Sequence, residues 1–377
     1  MPTLPKVLVE TDRVLSAATS ISTNVIVPTI KSKNFPDSVS QHTLRLLHEL
    51  SRLQNNQKTW KKDVGEALND TRFFGMNVDL VEEGWLPLLK QWINTDKDRL
   101  AEIVNRITAP TTAGIVFGVG ATSARLEADR KTQINLRRIA TLVLAAADDA
   151  FVTDLPGIVA KLVELLSATA TSSPSSATRG DVYMVIRTLV LKMSPVHLAM
   201  LWPVVNAELH TAISSVAAAD NSAVADTYGN AAVLQACKLL DLLICVAPDD
   251  FQLHEWLFIT DTIDAVHRYS GSQPVALVDE LSEELGSSTI MTESTAAQMI
   301  ANSSHRRPLL GPGGLGDGVN TEVRRDELVA KVLRPFFGQL SIFAFESTYA
   351  MTALDRRHCV QGVLKDLFDE RSIARAL

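Results

Sequence analysis

The chain has 377 residues, of which 46% are apolar, 21% charged and only 6% aromatic. This is the composition of a soluble folded protein rich in Ala, Leu and Val; it leans helical and excludes general disorder. The formal charge of −7 excludes a general nucleic-acid binder, because phosphate contacts need a concentrated basic surface.

In chain order, ISTNVIVPTI before Pro36 fits a helix end or a short strand. From Val39, Leu44, Leu47, Leu50 and Leu53 recur at helical spacing, with Arg52, Lys58, Lys61 and Lys62 at polar positions, which predicts an amphipathic helix running on toward Leu68. Leu80 to Ile93 and Lys97 to Ile107 form the next pair, with Asp96 as the cap of the second. After a break rich in Gly and Pro, a long helix runs from Ser123 to Ala147 and is answered by Phe151 to Leu166. Ala168 to Gly180 reads as a mobile loop of low apolar content. Val182 to Met193 is the next helix, Ser194-Pro195 starts another, and Trp202-Pro203 marks a kink or a fresh start. Ala217 to Asn230 is a second flexible connection.

The stretch from Ala231 to Asp261 organises the rest. Val233, Cys237, Leu240 and Ile244 repeat at helical spacing while Leu239, Leu242, Leu243 and Val246 fill the flanks, so this helix is apolar almost all round and belongs in the centre. Lys238 and Asp241 are its only charges, three apart, and are expected to pair with each other. Pro248 ends it, Asp249 or Asp250 caps a second helix with Gln252 as capping-box partner, and the two make an αα-hairpin. A short acidic helix at Val275 to Leu285, a weak stretch from Gly286 to Asn320 expected to be largely disordered, and helices around Glu322 to Phe345 and Arg356 to Leu377 complete the chain. The expected fold is all-α: an elongated helical stack, a HEAT-like α-solenoid with irregular repeats and flexible segments at about 168–180, 217–230 and 286–320.

Four collinear stretches carry a family likeness: RFFGMNVDLVEEGWLPLLKQWINTDKDRL, LVLKMSPVHLAMLWPVVNAEL, ACKLLDLLICVAPDDFQLHEWLFI and VLRPFFGQLS. Together they resemble the C-terminal region of the Dopey family, large cytosolic proteins of Golgi and endosome membrane traffic. The resemblance implies a single C-terminal α-helical domain over 1–377, with a much larger protein upstream, and a peripheral location on the cytoplasmic face of Golgi and endosomal membranes. It also implies an Arf-exchange-factor-like scaffold and a phospholipid-flippase P-type ATPase as partners, and phosphoinositide binding near the C-terminus.

Chemistry is sparse. Cys237 and Cys245 would share one helix and Cys359 stands alone, so no disulfide framework is implied. No run reaches the roughly eighteen apolar residues of a membrane span, and MPTLPKVLVETDR lacks the apolar segment of a signal peptide. No histidine or cysteine spacing suits a metal, no serine sits in a nucleophile elbow, and no cofactor is implied. Gly311, Gly313 and Gly316 meet the letter of GxGxxG, but Pro312 removes a backbone donor and no strand precedes them, so the stretch reads as a flexible linker. The expectation is a non-enzymatic adaptor that docks trafficking partners; the alternative is a structural module that dimerises the parent protein and binds no lipid.

Two features are candidates for function. Arg324, Arg325, Lys331 and Arg334 on one helix, Arg306 and Arg307 before it, and Arg356 and Arg357 after it would form a basic patch if brought together. Such a patch suits an anionic lipid such as phosphatidylinositol 4-phosphate. The competing reading pairs these cations with Glu322, Asp326, Glu327 and Asp355 beside them. In the last helix, Val360, Val363, Leu364, Leu367, Ala374 and Leu377 form a stripe that either packs on the preceding helix or meets a second copy in a homodimer. The acidic block from Asp241 to Glu293, eleven acids against Arg268 alone, is a candidate docking face for a partner.

Overall fold

The computed structural model describes residues 11–53, 57–96, 98–107, 121–167, 175–217, 227–260, 276–286, 305–319, 322–349 and 352–373. The β-branched run near the start is helical. Helix α1 covers Thr11–Ile21, a wide π turn at Ser22–Ile26, and Val27–Ile30, with Ile26 and Ile30 buried. The leucine-spaced segment divides into α2 (Gln41–Ser51) and α3 (Gln57–Asn69) instead of one long helix; Ser40 caps α2 by accepting from Thr43 N–H at 3.2 Å. Next come α4 (Val78–Leu80, a π turn at Val81–Trp85, then Leu86–Thr95) and α5 (Arg99–Asn105). Asp96 does not cap α5; its carboxylate accepts from Arg99 Nε at 2.9 Å, and Asp98 stands at the cap position.

Three long helices make the centre: α6 (Ala121–Ala145), α8 (Ser176–Lys192) and α10 (Asn230–Val246), with α7 (Leu155–Leu166) and α9 (Trp202–Ser214) between them in sequence. Helix α8 lies between α6 and α10 and is buried from Thr178 to Leu191, while α10 is buried from Ala232 to Cys245. Gly180 permits the close approach of these two helices, because a Cβ there would stand 3.3 Å from Ala231 O. Residues 176–180, expected in a loop, form the first turn of α8, with Ser175 accepting from Thr178 N–H at 3.3 Å. Trp202-Pro203 is a fresh helix start, whereas Ser194-Pro195 opens only a 3₁₀ turn, Pro195–His197. The expected second arm of the central hairpin is reduced to one α turn, Asp249–Gln252, without a side-chain cap, and a 3₁₀ turn, Glu255–Leu257. The left-handed Ala247 (φ 49°) and Pro248 end α10 and redirect the chain.

Helix α11 (Leu277–Glu284) and the long α12 (Arg325–Leu328, a π turn at Val329–Leu333, then Arg334–Tyr349) pack against each other, and α12 packs on α10. By length and composition Arg325–Tyr349 could cross a membrane, a run that hydropathy along the sequence overlooked. One face of it is core: Val332, Leu333, Phe336, Phe337, Leu340 and Phe343 are buried. The last helix, α13 (Arg356–Leu367), packs chiefly on elements other than its predecessor. It crosses back onto α8 and α6, and Phe368 beyond it lies 5.6 Å from Phe73 and 5.4 Å from Phe74 between ring centres. The fold is an all-α stack with its C-terminal end strapped across the middle. The only strands among the described residues are β1 (His305–Arg306) and β2 (Ala353–Leu354), a short parallel pair that anchors the start of the strap.

Candidate functional site

The strap is held by buried charges. Arg137 of α6 and Asp181 of α8 pair at 3.2 Å with both side chains almost wholly enclosed, and Arg137 also donates to Leu367 O (2.7 Å), Asp369 O (3.1 Å) and Ser372 Oγ. Asp366 of α13 receives Arg187 of α8 at 2.6 Å and Lys238 of α10 at 2.5 Å. Burial alone would raise the Asp366 carboxyl, but the two cations overcome it and hold it at about 2. Lys238 thus reaches across to the strap, and the expected pairing with Asp241 does not form.

Asp241 serves the glycine-rich segment instead. Its Oδ2 accepts from Leu310 N–H at 2.7 Å, and Leu309 and Leu310 are buried against the core. Burial pushes this carboxyl up to about 7, against the pull of the Leu310 and Leu309 amides and of Arg187 and Lys238. The 305–319 stretch is therefore a folded loop, not a linker. Gly316 has φ +70° and faces Val332, whose Cγ1 would be 3.0 Å from an added Cβ. Between this loop and the strap lies a cleft of about 350 Å³ lined by Lys238, Asp317, Lys365, Asp366, Asp369 and Arg371. Each cation in it already meets an acid: Lys365 meets Asp317 at 3.4 Å, Arg371 meets Asp369 at 2.9 Å, and Lys238 meets Asp366. The cleft offers balanced charge and no surplus for an anion.

The eight basic residues fall into two groups. Arg325 donates to Tyr228 O just before α10, and Arg306 donates to Ser347 O at 2.6 Å near the end of α12. Arg325 and Ser347 are 22 positions apart, which corresponds to about 33 Å of helix at 1.5 Å per residue. Arg324, Arg325 and Lys331 therefore belong to one end, with Arg334 further along α12, and Arg306, Arg307, Arg356 and Arg357 to the other. Several have acidic neighbours: Arg307 meets Asp355 at 2.8 Å, Arg324 meets Asp326 at 2.8 Å, and Lys331 meets Glu327. Arg357 meets Glu82 of α4 at 3.0 Å, and Arg356 donates to Leu191 O and stands 3.9 Å from Asp148. These last partners lie far away in sequence, where adjacency could not point to them.

In the stripe of α13, Val363, Leu364 and Leu367 are fully buried within the chain and Val360 is half-buried; Ala374 and Leu377 lie outside the described residues. Its inner face is thus spent on α6 and α8. The acidic block is also split, since Asp241 is internal while Asp249 is exposed and Asp250 and Glu255 are half-exposed. Among the described residues, no group of three or more His, Cys, Asp or Glu could hold a metal ion. The internal arginines escaped sequence reasoning, although a signal existed: Arg137 and Arg187 interrupt otherwise apolar runs, INLRRIATLV and YMVIRTLVL.

The sequence comparisons decide the family. The DOP1 C-terminal family matches residues 1–350. The chain belongs to that family. It is 47% identical over 374 residues to Protein dop1 of Emericella nidulans, covering 99% of this chain and 20% of that protein. Protein DOP1 of Saccharomyces cerevisiae is 25% identical over 365 residues (94% of this chain, 20% of that protein), and Protein pad-1 of Caenorhabditis elegans is 27% identical over 265 residues (67% and 10%). The chain spans at most about a fifth of the length of these relatives. No solved structure matches it.

Proposed function

We propose that this chain is a non-enzymatic adaptor region in Golgi–endosome traffic that contacts anionic membrane, with phosphatidylinositol 4-phosphate as the candidate lipid, through the arginines at the β1–β2 end. The observation that carries the membrane contact is the gathering of Arg306, Arg307, Arg356 and Arg357 where β1 meets β2, beside the exposed ring pair of Phe345 and Tyr349 (4.7 Å between centres) at the end of α12. Aromatic rings beside arginines suit the headgroup level of a bilayer. Arg357 is exposed although its partner Glu82 is mostly enclosed, and Glu82 keeps the Gln361 amide at 3.0 Å if Arg357 turns to a lipid phosphate. Each basic group near an acidic leaflet adds about 1 kcal/mol. Family membership supports the trafficking role, with an Arf-exchange-factor-like scaffold and a phospholipid-flippase P-type ATPase as the partners it would serve on the cytoplasmic face of those membranes.

The test is liposome co-sedimentation with phosphatidylinositol 4-phosphate against phosphatidylserine at matched charge. Two variants are compared after thermal melts confirm folding: R307E/R356E/R357E, and R324E/K331E/R334E at the other end and middle of α12. Binding that prefers the phosphoinositide and is lost only in the first variant supports the proposal. Loss only in the second moves the site to α12, and no binding by the unaltered chain removes lipid contact altogether.

A further inference from the structure

Eight large apolar side chains are exposed among the described residues, and four of them sit on two adjoining loops: Val196 and Met200 after α8, Leu253 and Trp256 after α10. The loops touch at their bases, where Trp202 and Phe251 lie 5.8 Å apart and Phe251 stacks 6.2 Å from Phe258, all three rings buried. Both loops are stiff. Leu198 N–H bonds to Pro195 O at 2.9 Å and Leu201 N–H to Leu198 O at 2.8 Å. In the other loop, His254 N–H bonds to Phe251 O at 2.8 Å and Leu257 N–H to His254 O at 3.0 Å. Val196 and Leu253, 74% and 72% exposed, and Trp256, 57% exposed, are therefore held outward on a rigid platform with a buried aromatic base. Ordered loops that leave their apolar side chains in water mark an interaction surface.

The rim fixes the kind of partner. Asp149 accepts from Ser194 N–H at 2.7 Å at the foot of the first loop; Asp249, Asp250 and Glu255 flank Leu253 and Trp256 in the second. The Ser194 hydroxyl and amide hold Asp149 below the usual carboxylate range, so it carries full charge at neutral pH. Lys192, at the end of α8 beside the first loop, is already engaged with Asp148 at 2.7 Å. Asp148, which Arg356 also approaches, marks the border with the arginine-rich end.

We infer that the Val196–Met200–Leu253–Trp256 surface binds a basic amphipathic helix of a partner protein, its apolar face seated on these four side chains and its lysines or arginines meeting Asp149, Asp249 and Asp250. Anchors at i, i+3 or i+4, and i+7 on such a helix match a compact apolar patch, and the flanking charges fix its orientation. An anionic bilayer is disfavoured on this face, because Asp149, Asp249 and Asp250 would be pressed against like charge. The inference stands independently of the lipid contact proposed for Arg307, Arg356 and Arg357.

The experiment titrates the chain into fluorescein-labelled 18-residue peptides and reads anisotropy. One is an amphipathic Leu/Lys helix, one has the same composition scrambled so that leucines encircle the helix, and one is a Leu/Glu amphipathic helix. The surface predicts binding of the first alone, weakened about tenfold or more by L253S/W256A, as expected for loss of central anchors. D249N/D250N should weaken it several-fold and flatten its salt dependence. These side chains are exposed, and circular dichroism confirms that the variants fold. Equal binding of the scrambled peptide, or unchanged binding by L253S/W256A, overturns the inference. Capture of phosphatidylserine vesicles that depends on Trp256, without binding of the Leu/Lys helix, also overturns it and assigns the face to membrane.

Discussion

The arginines of α6 and α8 and the cations of α12 look alike in sequence and do opposite work. Arg137 and Arg187 lie inside, each with a carboxylate and further polar partners, and they fasten a strap that is more than 170 residues away along the chain. Arg324 and Lys331 lie on the surface, each beside an acid two or four residues away. An enclosed charge that loses its partner has no water to turn to, whereas an exposed one exchanges its partner for solvent. Position relative to the core decides whether an arginine is architecture or is available to a ligand.

The sharpest way to break that comparison is R137A, which leaves Asp181 buried without its partner and frees Leu367 O, Asp369 O and Ser372. A loss of about 3–5 kcal/mol in urea unfolding is expected. F368A should cost a comparable 3–5 kcal/mol by emptying the space against Phe73 and Phe74. If the strap is a separate unit, hydrogen exchange in α13 will rise in both variants while α10 stays protected.

Titration separates Asp366 from Asp241 by sign. Asp366 is held at about 2, below its ordinary 3.8, so its contribution is complete above pH 4 and is lost as pH falls toward 2. D366N should flatten the stability curve in that acid window. Asp241 is raised from 3.8 to about 7, so its contribution is complete below pH 4 and has drained away once pH passes 7. D241N should therefore gain on the unaltered chain between pH 5 and 8, as read from denaturation midpoints at each pH. The smallest effect belongs to R324A, an exposed pair, which should change stability by under about 1 kcal/mol.

Hydrophobic periodicity made the all-α stack and the central position of α10 legible, because these depend on neighbours within a few turns, while Trp202-Pro203 left a kink and a fresh start open until the structure showed the start. The same local signals misjudged the second arm of the hairpin, where Ala247 turns left-handed and the chain never regains a long helix. They also took 305–319 for a linker, since nothing local shows that Asp241, some 69 residues earlier, would receive Leu310 N–H.

What the sequence determined by itself was therefore the class of fold, the family and the inventory of charged and apolar side chains. What only the tertiary structure decided was their company. Lys238 left its helical neighbour Asp241 for Asp366, Val363, Leu364 and Leu367 of α13 went into the core, and Arg324, Arg325 and Lys331 were separated along α12 from Arg306, Arg307, Arg356 and Arg357. The loops that carry Val196 and Met200, and Leu253 and Trp256, met at their bases through Trp202 and Phe251. The physical reason is range: helical periodicity is written in spacings of three and four residues, whereas a buried charge or an exposed patch is defined by what packing brings from far along the chain.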